Sequence, residues 1–205
     1  MRPLCALLLS LAGLFAAEPA KKPNILFIPI DDLNHWVGFL GRNIQTKTPN
    51  IDRLAKMGVG FTRAYCTAPS CNPSRASLMS GQRPSTTGCY ENNQNWRPGI
   101  SEDKLLNSHL AKQGYLTFGA GKLYHGAGDR GGHFDEYFPG KGGALKLHPE
   151  AKDDGVGGIK FAPLAVADED MPDHAVVSWC IEKMGQKHDK PWFISAGLVK
   201  PHMPW

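Results

Sequence analysis

The chain has 205 residues, of which 41% are hydrophobic and 20% charged, and it carries a formal net charge of +4. This length is sufficient for one packed domain, and the balance of apolar and charged residues excludes a disordered or collagen-like chain. The positive charge is mild and dispersed, without the dense basic stripe of a nucleic-acid-binding surface. We therefore expect a globular protein that does not bind nucleic acid.

The first twenty residues differ from the rest of the chain. Arg2 precedes an apolar run from Leu4 to Ala17, after which the sequence turns abruptly polar. A basic start, a short apolar core and small residues at its end are typical of a secretory signal, and the run is too short for a stable membrane span. We predict that residues 1–20 are a signal peptide and that the protein is exported to a periplasmic, extracellular or lumenal space. An uncleaved membrane anchor is the alternative.

Four cysteines follow the predicted signal: Cys66, Cys71, Cys89 and Cys180. This number is too small for a disulfide-dense scaffold. The sequence contains no C-x-x-C pair, which argues against a thiolate zinc site. The four thiols can form two disulfides, or at most one if Cys71 has a chemical role.

After the signal, helical and strand patterns alternate. Residues 24–30 are a nearly continuous apolar run, typical of a strand that is buried on both faces. Residues 48–58 predict a helix and residues 59–65 a second strand. Two more helix-to-strand units follow, at residues 105–118 and 172–196. This alternation predicts an α/β fold with a central, mostly parallel sheet that is flanked by helices.

Residues 126–170 interrupt the alternation. They are rich in glycine and proline and show little periodicity. We predict a long excursion from the sheet, of the kind that often shapes a pocket. No internal repeat or clear linker divides the chain, so residues 24–205 are treated as one domain.

An acidic pair, Asp31 and Asp32, directly follows the first predicted strand. Ligands of open α/β sheets bind outside the carboxyl ends of the strands. Adjacent carboxylates repel each other unless a cation neutralises them, and oxygen ligands favour calcium or magnesium. The pair therefore indicates a divalent metal site, with a solvated turn as the alternative.

The segment 71–81 combines a potential nucleophile with an anion-binding environment. Pro73 suits the first turn of a helix, and Gly81 suits its end. Arg75 follows Cys71 by four residues, so one helical turn places the guanidinium beside residue 71. The helix N-terminus adds partial positive charge at the same place. Taken alone, the segment leaves open that Cys71 is a buried apolar residue or half of a disulfide.

The pattern C-x-P-S-R-x-x-L-x-S-G in this segment, about forty residues after the acidic pair, resembles the signature of type I sulfatases. The resemblance extends over the whole chain after the signal, which is similar to the N-terminal part of a sulfatase catalytic domain. It includes the family's first helix at 49–55, its G-K-x-x-H element at 121–125, its K-P-H-x-P-[FW] element at 200–205, and an iduronate-2-sulfatase-like stretch at 81–87 followed by Trp96. Two departures are Asn72, bulkier than the small residue often found there, and Ser80, where threonine is commoner.

The resemblance implies an alkaline-phosphatase-like fold, here incomplete, and a modified nucleophile. Cys71 would be oxidised to formylglycine by a separate formylglycine-generating maturation system. The hydrated aldehyde has two hydroxyls on one carbon, one to accept the sulfuryl group and one whose deprotonation releases sulfate. Asp31, Asp32 and residue 71 would bind Ca²⁺, with Mg²⁺ as the alternative.

The resemblance also assigns roles to four further residues. Arg75 and Lys122 would bind the aldehyde hydrate and the sulfate through charge-assisted hydrogen bonds. His125 would be the general base, and His202 would contact the sulfate or protonate the leaving oxygen.

We therefore predict hydrolysis of sulfate esters, with a sulfated small molecule or carbohydrate as substrate, as in the iduronate-2-sulfatase branch. Tyr90, Asn93 and Trp96 either line a sugar pocket or belong to the core. The alternatives are a phosphonate or phosphate monoester hydrolase of the same superfamily and a non-catalytic secreted fragment. Because the family takes further metal ligands from later sequence, we expect the 205 residues alone to be inactive.

Overall fold

A computed structural model describes residues 21–126, 129–140 and 161–205. The predicted signal peptide, residues 1–20, lies outside the described residues. Much of the predicted excursion lies outside them as well.

Four parallel strands form the sheet, in the order β1-β4-β2-β3. Their bounds are Ile25–Phe27 for β1, Leu116–Gly121 for β2, Glu136–Phe138 for β3 and Trp192–Gly197 for β4. The two long strands, β2 and β4, pair along their whole length in the centre. Because all four strands run in one direction, their carboxyl ends lie at one edge of the sheet.

Helices cover both faces of this sheet, so the predicted α/β architecture is confirmed. Their bounds are Pro49–Met57 for α1, Cys71–Ser80 for α2, Pro84–Thr87 for α3, Leu106–Lys112 for α4 and Pro172–Gly185 for α5, with short 3-10 helices at Gly38–Leu40, Arg97–Gly99, Glu102–Lys104 and Asp168–Asp170. Helix α5 packs on alternate residues of β2 and β4, including Phe118 and Ile194. A Cβ at Gly119, on the other face of β2, would meet Phe134 and Tyr137, which pack against the cluster around α2.

The first strand differs from its prediction. Only Ile25–Phe27 pair with β4, and an isolated bridge at Ile30 continues the contact. Leu26 is 43% exposed, so the prediction of burial on both faces is wrong. Within the described part of the chain β1 is the edge of the sheet, and an apolar run by itself does not distinguish an edge strand from a central one.

Residues 59–65 do not form the predicted strand. Val59, Phe61 and Tyr65 are exposed, and no described strand lies beside them. A strand requires a neighbour for its backbone hydrogen bonds, and the apolar pattern alone does not supply one. Strand β3, in contrast, was not predicted from the sequence. Its three residues are too few to show the alternation of apolar and polar residues that indicates a strand.

Asp135 connects β3 to β2. Its Oδ2 accepts hydrogen bonds from the Thr117 amide at 2.7 Å and from the Thr117 hydroxyl at 3.1 Å. Burial raises the pKa of Asp135, but hydrogen bonds from Thr117 and His133 outweigh this effect and lower the pKa below its usual range. A lowered pKa in the folded state means that the carboxylate stabilises the fold above its unfolded-state pKa. That contribution is lost as the pH falls through the folded-state pKa.

We therefore expect Asp135→Asn to lower the melting temperature at pH 7 by a few degrees, with a smaller difference at pH 3. Thermal unfolding of the gene product that carries these residues, at both pH values, measures this. Glu169→Gln, at an exposed position, is the control. An equal shift at pH 7 and pH 3 would show that the carboxylate charge does not contribute.

Candidate active site

Three segments that follow parallel strands meet at the carboxyl edge of the sheet. Asp31 follows β1, and its amide donates to the Leu198 carbonyl at 3.0 Å, just after β4. Lys122 directly follows β2, and its amide donates to the Gly197 carbonyl at 2.8 Å. Parallel pairing therefore places residues that are far apart in the sequence at one site.

Two glycines allow the strand ends to approach closely. A Cβ at Gly197 would clash with the Lys122 carbonyl, and a Cβ at Gly121 would clash with the Gly197 carbonyl. Gly121 also has a φ of +69°, which favours glycine. The last residues of β2 and β4 thus set the position of Lys122.

Asp31 is the centre of the site. It is 5% exposed, and its Oδ1 accepts a hydrogen bond from Arg75 Nη2 at 2.8 Å. Its Oδ2 accepts one from Lys122 Nζ. Burial raises the pKa of Asp31, but the hydrogen bonds and charges of Lys122 and Arg75 outweigh it, so the pKa lies below its usual range. The carboxylate is therefore ionised at neutral pH.

Helix α2 brings Cys71 and Arg75 to the same carboxylate. Cys71 Sγ lies 3.6 and 3.8 Å from the two oxygens of Asp31 and 3.9 Å from Lys122 Nζ. Arg75, also 5% exposed, donates to the Lys122 carbonyl as well. The spacing of four residues places the guanidinium beside residue 71, as the helical pattern predicted.

His202 and Asp32 lie on the outer side of Asp31. His202 Nε2 is 4.0 Å from Asp31 Oδ2 and 3.8 Å from Asp32 Oδ2. The Asp32 side chain is 56% exposed. Asp31, Cys71 and His202 each offer one ligand atom, and these atoms lie within 4.8 Å of one another. The structure thus places His202, which the sequence analysis assigned to contact with the sulfate or protonation of the leaving oxygen, beside the predicted metal ligands Asp31 and Cys71.

His125 lies in the turn after Lys122. Its Nδ1 is buried and has no hydrogen-bond partner among the described residues. Burial lowers the pKa of His125, and the positive charges of Lys122 and Arg75 lower it further. The imidazole is therefore neutral at pH 7 and able to accept a proton.

The possible metal ligands at this site are of mixed chemical type. Asp31, Cys71 and His202 supply a carboxylate, a thiol and an imidazole, and the exposed carboxylate of Asp32 lies 3.8 Å from His202 Nε2. Oxygen-rich sites favour calcium or magnesium. The carboxylates of the predicted ligands Asp31 and Asp32 suit such an ion, and residue 71 would suit it with an oxygen in place of its sulfur.

The structure decides among several alternatives that the sequence left open. Trp96 is buried and stacks on Tyr124, with ring centroids 5.3 Å apart, so it belongs to the core rather than to a sugar pocket. Tyr90 and Asn93 are exposed. Cys66, Cys71, Cys89 and Cys180 are all free thiols.

Comparison with known proteins identifies the class. The family model described as Sulfatase matches residues 23–205, so the chain belongs to the sulfatase family. It is 38% identical to a sulfatase of Formosa agariphila over 91% of this chain and 40% of that protein. It is 32% identical to the iduronate 2-sulfatase of Mus musculus over 89% of this chain and 35% of that protein. The chain therefore spans about two fifths of the length of these relatives.

Solved structures agree on the fold. The crystal structure of Ps i-CgsB in complex with k-i-k-neocarrahexaose has a TM-score of 0.62 at 30% identity, covering 90% of this chain and 46% of that one. The phosphonate monoester hydrolase of Agrobacterium radiobacter shares the fold at 19% identity, with a TM-score of 0.64, covering 89% of this chain and 42% of that one. These neighbours confirm the alkaline-phosphatase-like fold, of which the four-stranded parallel sheet is an incomplete part. Among the described residues, no helix has the length and apolar character needed to cross a membrane.

Proposed function

We propose that the gene product carrying these residues hydrolyses sulfate esters of carbohydrates, in the manner of an iduronate-2-sulfatase. One observation carries the proposal: Arg75 and Lys122 converge on Asp31 directly beside residue 71. Two cations share a single buried carboxylate, and residue 71 is the first residue of α2, where the helix dipole is positive. The cationic N–H donors of Arg75 and Lys122 and the positive end of the helix favour an anionic substrate at this position.

Arg75 retains hydrogen-bonding capacity for that anion. A guanidinium has five N–H donors in a planar fork. Arg75 uses Nη2 for Asp31 and Nη1 for the Lys122 carbonyl, and its Nε has no partner among the described residues. Together with the Lys122 ammonium, which has three donors, this group can bind sulfate oxygens through charge-assisted hydrogen bonds.

The environment of Cys71 favours a modified nucleophile over a thiolate. Burial, and next the negative charge of Asp31, raise the pKa of Cys71. The thiol is therefore protonated at neutral pH and is a poor nucleophile. A formylglycine at this position, as its hydrate, supplies one hydroxyl that accepts the sulfuryl group and a second whose deprotonation releases sulfate.

The proposal assigns the metal to Asp31, Asp32 and residue 71, with His202 close enough to join them. Ca²⁺, or Mg²⁺, would lower the pKa of the attacking hydroxyl and neutralise charge on the sulfate. Asp31, held ionised by Arg75 and Lys122, is the residue that links the metal to the anion-binding groups.

In this proposal His125 is the general base, and His202 is the general acid or a ligand of the sulfate. His125, neutral at pH 7, accepts the proton whose removal releases sulfate. His202 protonates the oxygen of the leaving alcohol or contacts the sulfate. The proposal also includes export and the oxidation of Cys71 by a separate formylglycine-generating system.

Mass spectrometry tests the modification of residue 71. Trypsin cleaves after Arg63 and Arg75, so a single peptide, residues 64–75, contains the modification site. In protein from the native host, we expect mass spectrometry to find this peptide with an aldehyde in place of the thiol of Cys71. An unmodified thiol in all of the protein would contradict the proposed nucleophile.

Parallel assays on an aryl sulfate and an aryl phosphate test the reaction type. We expect the sulfate to be turned over preferentially, with loss of activity in a chelator and recovery with added Ca²⁺ or Mg²⁺. Preferential turnover of the phosphate would instead favour a phosphate or phosphonate monoester hydrolase. Turnover that is unaffected by chelation would contradict the metal assignment.

A further inference from the structure

Helix α2 begins at residue 71, and a backbone amide of its first turn finds its hydrogen-bond acceptor outside the helix. The first backbone amides of a helix have no acceptor within the helix, and the N-cap side chain normally supplies one. Ser70, the N-cap residue, makes no capping bond with its own side chain. Instead, Asn92 Oδ1 accepts the Asn72 amide at 2.9 Å and the Ser70 hydroxyl at 2.8 Å. The cap therefore comes from a loop about twenty residues further along the chain.

The Asn72 side chain donates hydrogen bonds to the loop, whereas the Asn92 side chain accepts hydrogen bonds from the start of α2. Asn72 is buried, and its Nδ2 donates to the carbonyls of Glu91 at 3.0 Å and Gln94 at 2.6 Å, with a longer contact to Asn92 at 3.4 Å. Carbonyl oxygens only accept hydrogen bonds, so the atom that faces them must be the NH₂ group of Asn72. The contacts from both sides join the loop at residues 89–95 to the start of α2.

The loop is also held together internally. Gln94 Oε1 accepts the amides of Tyr90 at 2.6 Å and Glu91 at 2.9 Å. The loop therefore presents its carbonyls to Asn72 in a defined arrangement. A buried side chain with three polar partners in one preorganised loop restricts the motion of the residues on either side of it. One of those neighbours is Cys71.

We propose that Asn72 and Asn92 form an amide clamp that locks the 89–95 loop onto the first turn of α2 and so holds residue 71 in place for the reaction. The catalytic part of this inference rests on the proposed function, whereas the locking of the two segments does not. Neither side chain touches the reacting atoms, so both are positioning residues. The clamp also gives a reason for Asn72, since the small residue often found at this position in the family cannot reach the loop carbonyls.

Asn72 donates through its side chain and Asn92 accepts through its side chain, so replacing each by aspartate gives two variants of equal charge with different expected effects in the gene product. Asn72→Asp places a carboxylate against loop carbonyls, which cannot donate to it. Asn92→Asp adds the same charge at the same helix end but keeps an acceptor for the Asn72 amide and the Ser70 hydroxyl. We expect hydrogen exchange at the Asn72 amide and at residues 89–95 to become at least about tenfold faster in the first variant and to stay protected in the second.

Activity provides the second readout. Per mole of formylglycine, measured by mass spectrometry, we expect kcat of Asn72→Asp to fall at least about tenfold below that of Asn92→Asp, because displacement of a reacting group by an ångström is costly. We expect KM to differ less between the two. Asn72→Ser, which removes the NH₂ group and leaves a shorter hydroxyl without adding repulsion, gives the same contrast if Asn72→Asp does not fold.

Equal exchange in the two aspartate variants would overturn the clamp. Faster exchange in Asn72→Asp or Asn72→Ser with an unchanged kcat would overturn its role in positioning residue 71. If the wild-type protein has no sulfatase activity, the proposed function fails, and the exchange contrast still decides whether the clamp exists.

Discussion

Replacement of Cys71 by alanine is expected to reduce sulfate ester hydrolysis by the gene product at least about 10⁴-fold, the scale seen when an enzyme loses its nucleophile. Alanine removes the sulfur that is the precursor of the proposed aldehyde. The fold should be little affected, because Cys71 is only half-buried and a thiol forms weak hydrogen bonds, here to Asp31 at 3.6 and 3.8 Å. We expect the free energy of unfolding to change by less than about 1 kcal/mol.

Cys66→Ala is the matched control for this prediction. Cys66 is an exposed free thiol in the same tryptic peptide, five positions before Cys71 in the sequence. Its replacement is expected to leave both the activity and the modification of residue 71 at the wild-type level. Steady-state kinetics together with mass spectrometry of residues 64–75 measure both. Substantial activity in Cys71→Ala would refute residue 71 as the nucleophile.

The second large effect concerns Asp31. Asp31→Asn keeps the shape of the side chain but removes the negative charge that Arg75 and Lys122 share. Arg75 is buried, and removal of one partner from a buried ion pair typically costs about 3–5 kcal/mol. We therefore expect a clearly lower melting temperature. Because Asp31 is also a proposed metal ligand, we expect kcat/KM for an aryl sulfate to fall by about 10³-fold or more.

Asp32→Asn separates these two contributions. Asp32 is the adjacent residue, but its side chain is exposed, and no bond to Arg75 or Lys122 is present. We expect this variant to melt close to the wild-type temperature and to require more Ca²⁺ for half-maximal activity. Calorimetry and calcium titration distinguish the two variants. Equal melting temperatures for Asp31→Asn and wild type would contradict the central role of the buried carboxylate.

Several site residues could be predicted from the sequence because their signals are local. The spacing of Cys71 and Arg75 determines which residues share one face of a helix, and the structure brings them to the same carboxylate. An acidic pair at the end of a strand indicates its position at the edge of a sheet, and Asp31 lies there. Lys122, His125 and His202 were predicted from the family motifs. The spacing of these residues along the chain does not by itself indicate that they belong to one site.

Other features depended on contacts between distant segments. The burial of β1 depends on which strand lies beside it, and a predicted strand at 59–65 requires a partner that the described residues do not include. The difference between Asp31 and Asp32 is likewise tertiary. The two residues are identical in type and adjacent in sequence, but only the first meets Arg75 and Lys122.

Local sequence by itself determined the family, the helix that carries residue 71 and the identity of the chemical groups, because these depend on short-range spacing and residue type. The tertiary structure alone decided which carboxylate is buried, that His202 lies close to Asp31 and Cys71, and that Asn72 and Asn92 connect the 89–95 loop to α2. The physical reason is that burial, pKa and hydrogen-bond partnership are set by groups that are remote in the sequence and meet only when the chain folds.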